Sequence, residues 1–185
     1  MKLFSVTPIL ILLSFVLNIN GTILFASDIS NDQIEIYFTK DSLKIQSWFF
    51  KSGIERSYPI VLLLHGYPDF SKDVLGLGEY LSSKGYNVLC PNYIGTYKSE
   101  GIWNPVSSLQ SIKAAIDYIN SEKFNNQYSV NTDEKIIIGH SFGCGMAFLE
   151  SLYDSYITKV ISIAGGDLGV LGNQILADPE LDKAI

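Results

Sequence analysis

The sequence holds only two histidines and two cysteines in 185 residues, and no run of basic residues breaks its formal charge of −6. Each shortage excludes something. The acidic balance argues against a nucleic-acid-binding surface. Cys90 and Cys144 form no C-x-x-C pair and have no histidines at ligand spacing, which argues against a metal site. No apolar run reaches the roughly 20 residues of a comfortable membrane span. With 47% apolar and 17% charged residues the chain is nevertheless globular in composition, and long enough for one domain with a real core.

Residues 1–26 have a layout of their own. Lys2 precedes a mostly apolar stretch, residues 8–17, and the polar Asn18-Ile19-Asn20-Gly21 follows. One positive charge before about ten apolar residues reads as a secretory leader, with cleavage expected after Ala26. Adding Thr22-Ile23-Leu24-Phe25 would lengthen the run toward an anchor. Export or tethering is the expectation, with residues 27–185 as the folded part.

Beyond Ala26 the pattern is first that of a hairpin. Residues 33–38 alternate with Ile34, Ile36 and Phe38 on one side, Lys40-Asp41-Ser42 supplies a turn, and residues 43–50 return. It then changes character. Ile60-Val61-Leu62-Leu63-Leu64 is continuously apolar, as a strand covered on both faces must be. Residues 86–91, 135–138 and 160–164 read as three further core strands. Between them helical spacing predicts helices over 71–84, 105–124 and 142–153, the second opened by Asn104 as N-cap and Pro105 in the first turn. Short buried strands alternating with helices predict an α/β fold: a mostly parallel sheet with helices on both faces, preceded by the β-hairpin. In that topology Cys90 ends a strand while Cys144 lies on a helix, too far apart for a disulfide.

Two motifs carry chemistry. Gly139-His140-Ser141-Phe142-Gly143 spells G-x-S-x-G between a core strand and a helix, a setting in which a tight turn pushes the serine outward. Gly139 and Gly143 remove side chains where that turn brings strand and helix together. The second motif, His65-Gly66-Tyr67-Pro68, directly follows the strand at 60–64. The backbone N–H groups of Tyr67 and Phe142 are candidates to hold negative charge developing on a carbonyl oxygen. His65 reads as a loop-shaping residue with Gly66, not as a base for Ser141.

With these residues in view, positions 58–165 resemble the α/β-hydrolase superfamily, most closely its prolyl-oligopeptidase and dienelactone-hydrolase-like branch. The resemblance rests on Leu64-His65-Gly66-Tyr67-Pro68, on Leu81-Ser82-Ser83-Lys84-Gly85-Tyr86-Asn87-Val88, on Pro91-Asn92-Tyr93 with Gly95, Ser99 and Gly101, and on the serine motif. It implies Ser141 as nucleophile, an oxyanion hole from the Tyr67 and Phe142 amides, no cofactor, and a small-molecule or peptide substrate. Two departures stand out. Ile94 occupies a position where many relatives carry arginine. The family's acid and histidine follow strands that come after 160–164; Asp167 could serve as the acid in a rarer arrangement where it follows the earlier strand, and no histidine is left to serve as base.

Three accounts fit that shortage: the N-terminal part of a serine hydrolase, a binding module that keeps the pocket without the base, and a site completed by another polypeptide. The first is the expectation, since a strained serine turn facing an oxyanion loop is costly geometry that binding alone does not require. It carries two corollaries. This chain alone should hydrolyse little, and an incomplete sheet edge could drive self-association.

Overall fold

A computed structural model describes residues 16–17, 23–24, 32–54, 58–67, 72–166, 169–170 and 173. Val16–Leu17 (β1) pairs antiparallel with Ile23–Leu24 (β2). The main sheet has six strands: Asp32–Lys40 (β3), Leu43–Lys51 (β4), Ile60–Leu64 (β5), Val88–Pro91 (β6), Lys135–His140 (β7) and Ile157–Ile163 (β8). Their order is β3-β4-β6-β5-β7-β8. The hairpin β3–β4 joins antiparallel to β6, while β6, β5, β7 and β8 run parallel. The α/β architecture with an N-terminal hairpin is thus the observed one. No helix among the described residues is long and apolar enough to cross a membrane.

The unbroken apolar run of β5 explains the layering. Ile60, Leu62 and Leu64 face a core shared with Pro105–Ile119 (α2), Glu122–Tyr128 (α3) and Phe142–Ser151 (α4). Val61 and Leu63 point to the other face, into a smaller core with Val74 and Val88 beneath Leu77–Ser83 (α1). All five β5 residues are buried. Successive side chains of a strand alternate between faces, so a strand covered on both has no polar position to offer.

Several boundaries differ from the pattern-based expectation, each for a local reason. The helix expected over 71–84 starts only at Leu77, because Leu75 and Gly76 take positive φ. The Asp73 carboxylate then accepts from the backbone N–H groups of Gly78 and Glu79, at 2.6 and 3.0 Å, satisfying the exposed first turn. The helix expected over 105–124 is two: α2 opens with Asn104 and Ser107 in a reciprocal capping box, and Ser121 caps a new start at α3 by accepting from Phe124 N–H. The last expected core strand is an outer one. On β8, Ile157, Val160 and Ile163 are half-buried and Ile161 is 44% exposed. Among the described residues only β7 flanks it and α4 covers one face, so its apolar pattern is not matched by burial on both sides.

A polar network ties the hairpin to the segment after β6. Glu35 accepts from Lys98 Nζ at 2.8 Å, from Tyr37 Oη at 2.8 Å and from the Gln46 side chain. The Lys98 contact, then those of Tyr37 and Gln46, hold the Glu35 carboxyl down from an ordinary 4.5 to about 2. A depressed folded-state value stabilises above the unfolded value and is lost as pH falls through the folded one. The stability gap between the native chain and Glu35→Gln should therefore be constant above pH 5 and close between pH 4.5 and 2, with urea unfolding at each pH as the measurement. An unchanged gap at pH 2 would remove Glu35 from the account.

Candidate active site

The candidate residues gather at the C-terminal ends of the parallel strands, where open α/β sheets place their ligand crevices. Ser141 follows β7 directly and stands at the N-terminus of α4 with φ 52° and ψ −117°. That is a left-handed-side conformation which a side chain disfavours, and it persists only where the surroundings enforce it. The enforcement is visible. Ser141 N–H donates to Ile163 O of the neighbouring strand at 3.0 Å, and Cys144 N–H donates to Ser141 O at 3.0 Å. The Ser141 hydroxyl makes no capping bond to the helix it precedes.

Glycine is required on both sides of the turn. A Cβ on Gly139 would lie 2.3 Å from Gly143 O, and one on Gly143 would lie 2.6 Å from Leu64 O and 2.8 Å from His65 O. The first turn of α4 is thus pressed between the ends of β7 and β5. Cys144, in the same turn, donates its thiol to Gly139 O at 3.0 Å. It and Cys90 are unbridged and buried, as their separation in the fold predicts.

The loop after β5 closes over this turn. A Cβ on Gly66 would meet Ser141 Cβ at 3.1 Å and His140 Nδ1 at 3.3 Å, so Gly66, His140 and Ser141 are in immediate contact. Tyr67, the next residue, begins the exposed rim. His65 is buried, with Nδ1 2.6 Å from Gly66 O and its ring 4.3 Å from that of Tyr93. The Tyr93 hydroxyl donates to His65 O at 2.9 Å, and burial pushes this phenol well above its usual value. His65 therefore belongs to the packing that shapes the loop. Pro68 and Asp167 lie outside the described residues.

The segment from Asn92 to Trp103 forms the remaining wall, and its glycine and serine positions have structural work. Ser99 Oγ accepts from Gln46 N–H at 3.1 Å. Gly95 takes φ +78°, and a Cβ there would lie 2.1 Å from Trp103 N. Ile94 is buried, with its N–H donating to Ser111 Oγ at 2.7 Å, so it presents nothing to a ligand. The sequence reading missed Trp103 altogether. Its ring lies flat on Tyr67 (centroids 3.7 Å apart, planes 7° apart) and 5.7 Å from Phe142. No local signal marks it, because its place beside Tyr67 depends on the segment folding back through Gly95 and Gly101, both at positive φ.

A concavity of about 440 Å³ lies between α2 and α4 at the opposite end of the strands, lined by Glu150, Asp154 and Tyr156 among others. Burial, with Asp154 nearby, raises the Glu150 carboxyl to about 7. Its position beside the start of β8 separates it from Ser141 by the length of the sheet. Among the described residues no cluster of three His, Cys, Asp or Glu side chains is placed to hold a metal ion.

Comparison with known proteins agrees with this geometry. Residues 59–183 match the family model described as alpha/beta hydrolase fold, and the chain belongs to that family. No curated protein matches the sequence. Among solved structures the chain is similar to the Pyrococcus furiosus esterase Pf2001, with TM-score 0.62 and 22% identity over 85% of this chain and 60% of that one. It is also similar to a thioesterase domain from the curacin biosynthetic pathway, with TM-score 0.59 and 16% identity over 84% of this chain and 56% of that one. A third is Est1E from Butyrivibrio proteoclasticus, solved with ferulic acid bound: TM-score 0.58 and 20% identity over 68% of this chain and 50% of that one. The chain spans 50–60% of the length of these three structures. The family is shown; the prolyl-oligopeptidase and dienelactone-hydrolase-like branch is not singled out by these neighbours.

Proposed function

We propose that this chain carries the nucleophile and oxyanion site of a serine hydrolase acting on an ester or peptide-like carbonyl. The observation that carries the reading is the backbone of Ser141: φ 52° and ψ −117° at a strand-to-helix turn, its hydroxyl left out of helix capping, with Gly66 of the facing loop against its Cβ. Strain of this kind is sustained where it is used.

In the proposed reaction Ser141 Oγ bonds to the carbonyl carbon while its proton passes to a base. The carbonyl oxygen gains negative charge and is held by the Tyr67 and Phe142 N–H groups. The leaving oxygen or nitrogen departs with the proton, giving an acyl-serine, and water then attacks that carbon to free the acid and restore Ser141. Neither histidine of this sequence is assigned that role. His65 is committed to the loop packing beneath Tyr93, and His140, at the end of β7, has its ring nitrogen against Gly66. The apolar segment before residue 27 supports export of the protein.

A serine lacking its base is weakly nucleophilic, and general-base assistance is worth about 10²–10⁴ in rate. Small imidazole supplied in solution should restore part of that. The full chain should label slowly with a fluorophosphonate and at least about tenfold faster with imidazole. Ser141→Ala should take no label. Folded native chain that stays unlabelled with imidazole, or label that persists in Ser141→Ala, would overturn the reading.

A further inference from the structure

We propose that the site accepts a substrate with an aryl group beside the scissile carbonyl, and that Tyr67 is the residue which selects it. This rests on Ser141 as the reacting group and adds what lies next to it. The residues proposed to hold the oxyanion through their backbones, Tyr67 and Phe142, also contribute rings to one cluster. Tyr67 stacks on Trp103 at 3.7 Å with nearly parallel planes, and Phe142 sets its ring at 6.5 Å from Tyr67 and 5.7 Å from Trp103. Gly66 bonds to Tyr67 and touches Ser141, so the stack starts one residue from the nucleophile.

The stack is open on one side. Trp103 and Phe142 are half-buried, whereas Tyr67 remains 46% exposed with one face covered by Trp103. Among the described residues the rings set against Tyr67 are those of Trp103 and Phe142, and we infer that its exposed surface is the face opposite Trp103. A flat ring can lie there offset-stacked on Tyr67, one of the arrangements aromatic pairs favour. A saturated ring of the same size buries similar apolar area but cannot match that contact. The wall is also held in place before any ligand arrives: Gly95 folds tightly against Trp103 N, and the Asn104 cap fixes the residue that follows. Preorganisation of this kind spares the ordering cost that a mobile aromatic would incur on binding.

The test separates binding from chemistry. In the Ser141→Ala chain, which cannot form an acyl-serine, phenyl acetate and cyclohexyl acetate are compared by ligand-observed NMR titration. Phenyl acetate should bind two- to tenfold tighter, roughly what an aromatic contact is worth beyond its buried area. Tyr67→Phe in that background should keep the preference, and Tyr67→Leu, which leaves the backbone N–H in place, should bring the ratio near one. Equal affinity for the two esters, or a preference unchanged by Tyr67→Leu, overturns the aryl assignment while leaving the fluorophosphonate result to judge Ser141. A Tyr67-dependent preference in a chain whose Ser141 never labels supports the aryl site and overturns the nucleophile.

Discussion

Gly139→Ala should cost about 3 kcal/mol or more of folding stability and abolish labelling of Ser141 in whatever fraction still folds. The added Cβ would lie 2.3 Å from Gly143 O, 2.5 Å from Gly143 C and 2.6 Å from Cys144 N. All three are backbone atoms, so no rotamer change relieves the clash. The start of α4 would have to lift from β7, yet on its other side Gly143 is already packed against Leu64 O and His65 O. Two other glycines calibrate the effect. A Cβ on Gly166 meets nothing within 4 Å, and Gly166→Ala should be nearly neutral. Gly76 also has open space but φ +74°, so Gly76→Ala should cost only about 1 kcal/mol through backbone strain. Urea unfolding of the three variants gives the ranking. A Gly139→Ala chain within 1 kcal/mol of the native one would mean that the turn is looser than its contacts imply.

That contrast shows what was legible in the sequence. The β5 run and the G-x-S-x-G turn are local signals: burial on both faces forces an unbroken apolar strand, and a strand-to-helix turn this tight forces glycine. Both can be read without knowing what lies across the sheet. The parts that escaped depend on partners distant in sequence. The single helix expected over 105–124 divides because Ser121 offers a better cap than a continued turn, a competition among neighbours that apolar spacing does not register. The burial expected for residues 160–164 assumed covering elements on both faces, and among the described residues β8 is flanked by β7 alone. Trp103 is 36 residues from Tyr67, and only the folding back of the segment through Gly95 and Gly101, both at positive φ, joins them. Asp167, the one acid suggested by sequence position, falls outside the described residues.

Asp154→Asn should destabilise the chain by about 3 kcal/mol, and Lys135→Met should cost less than 1 kcal/mol. Lys135 opens β7 with its side chain only 2% exposed, and its Nζ lies 4.0 Å from Asp154 Oδ2 and 5.0 Å from the centre of the Tyr156 ring. An ammonium in that position is stabilised chiefly by the one carboxylate. Asparagine can keep the oxygen that accepts from Tyr156 N–H at 2.8 Å, so Asp154→Asn removes the charge and turns an amide NH2 toward the ammonium. A buried cation is then left with the ring and neutral dipoles, which is the expensive way to break such a pair. The converse change is mild for an asymmetric reason. Asp154 is 14% exposed and lines the 440 Å³ concavity, so water can reach its carboxylate once the ammonium is gone. Methionine, meanwhile, fills the aliphatic path of Lys135 without a charge to desolvate. The double variant Lys135→Met/Asp154→Asn should therefore recover most of what Asp154→Asn loses, a coupling readable by urea unfolding of the four chains. Additive losses in that cycle would show that Lys135 draws its stabilisation from elsewhere than Asp154.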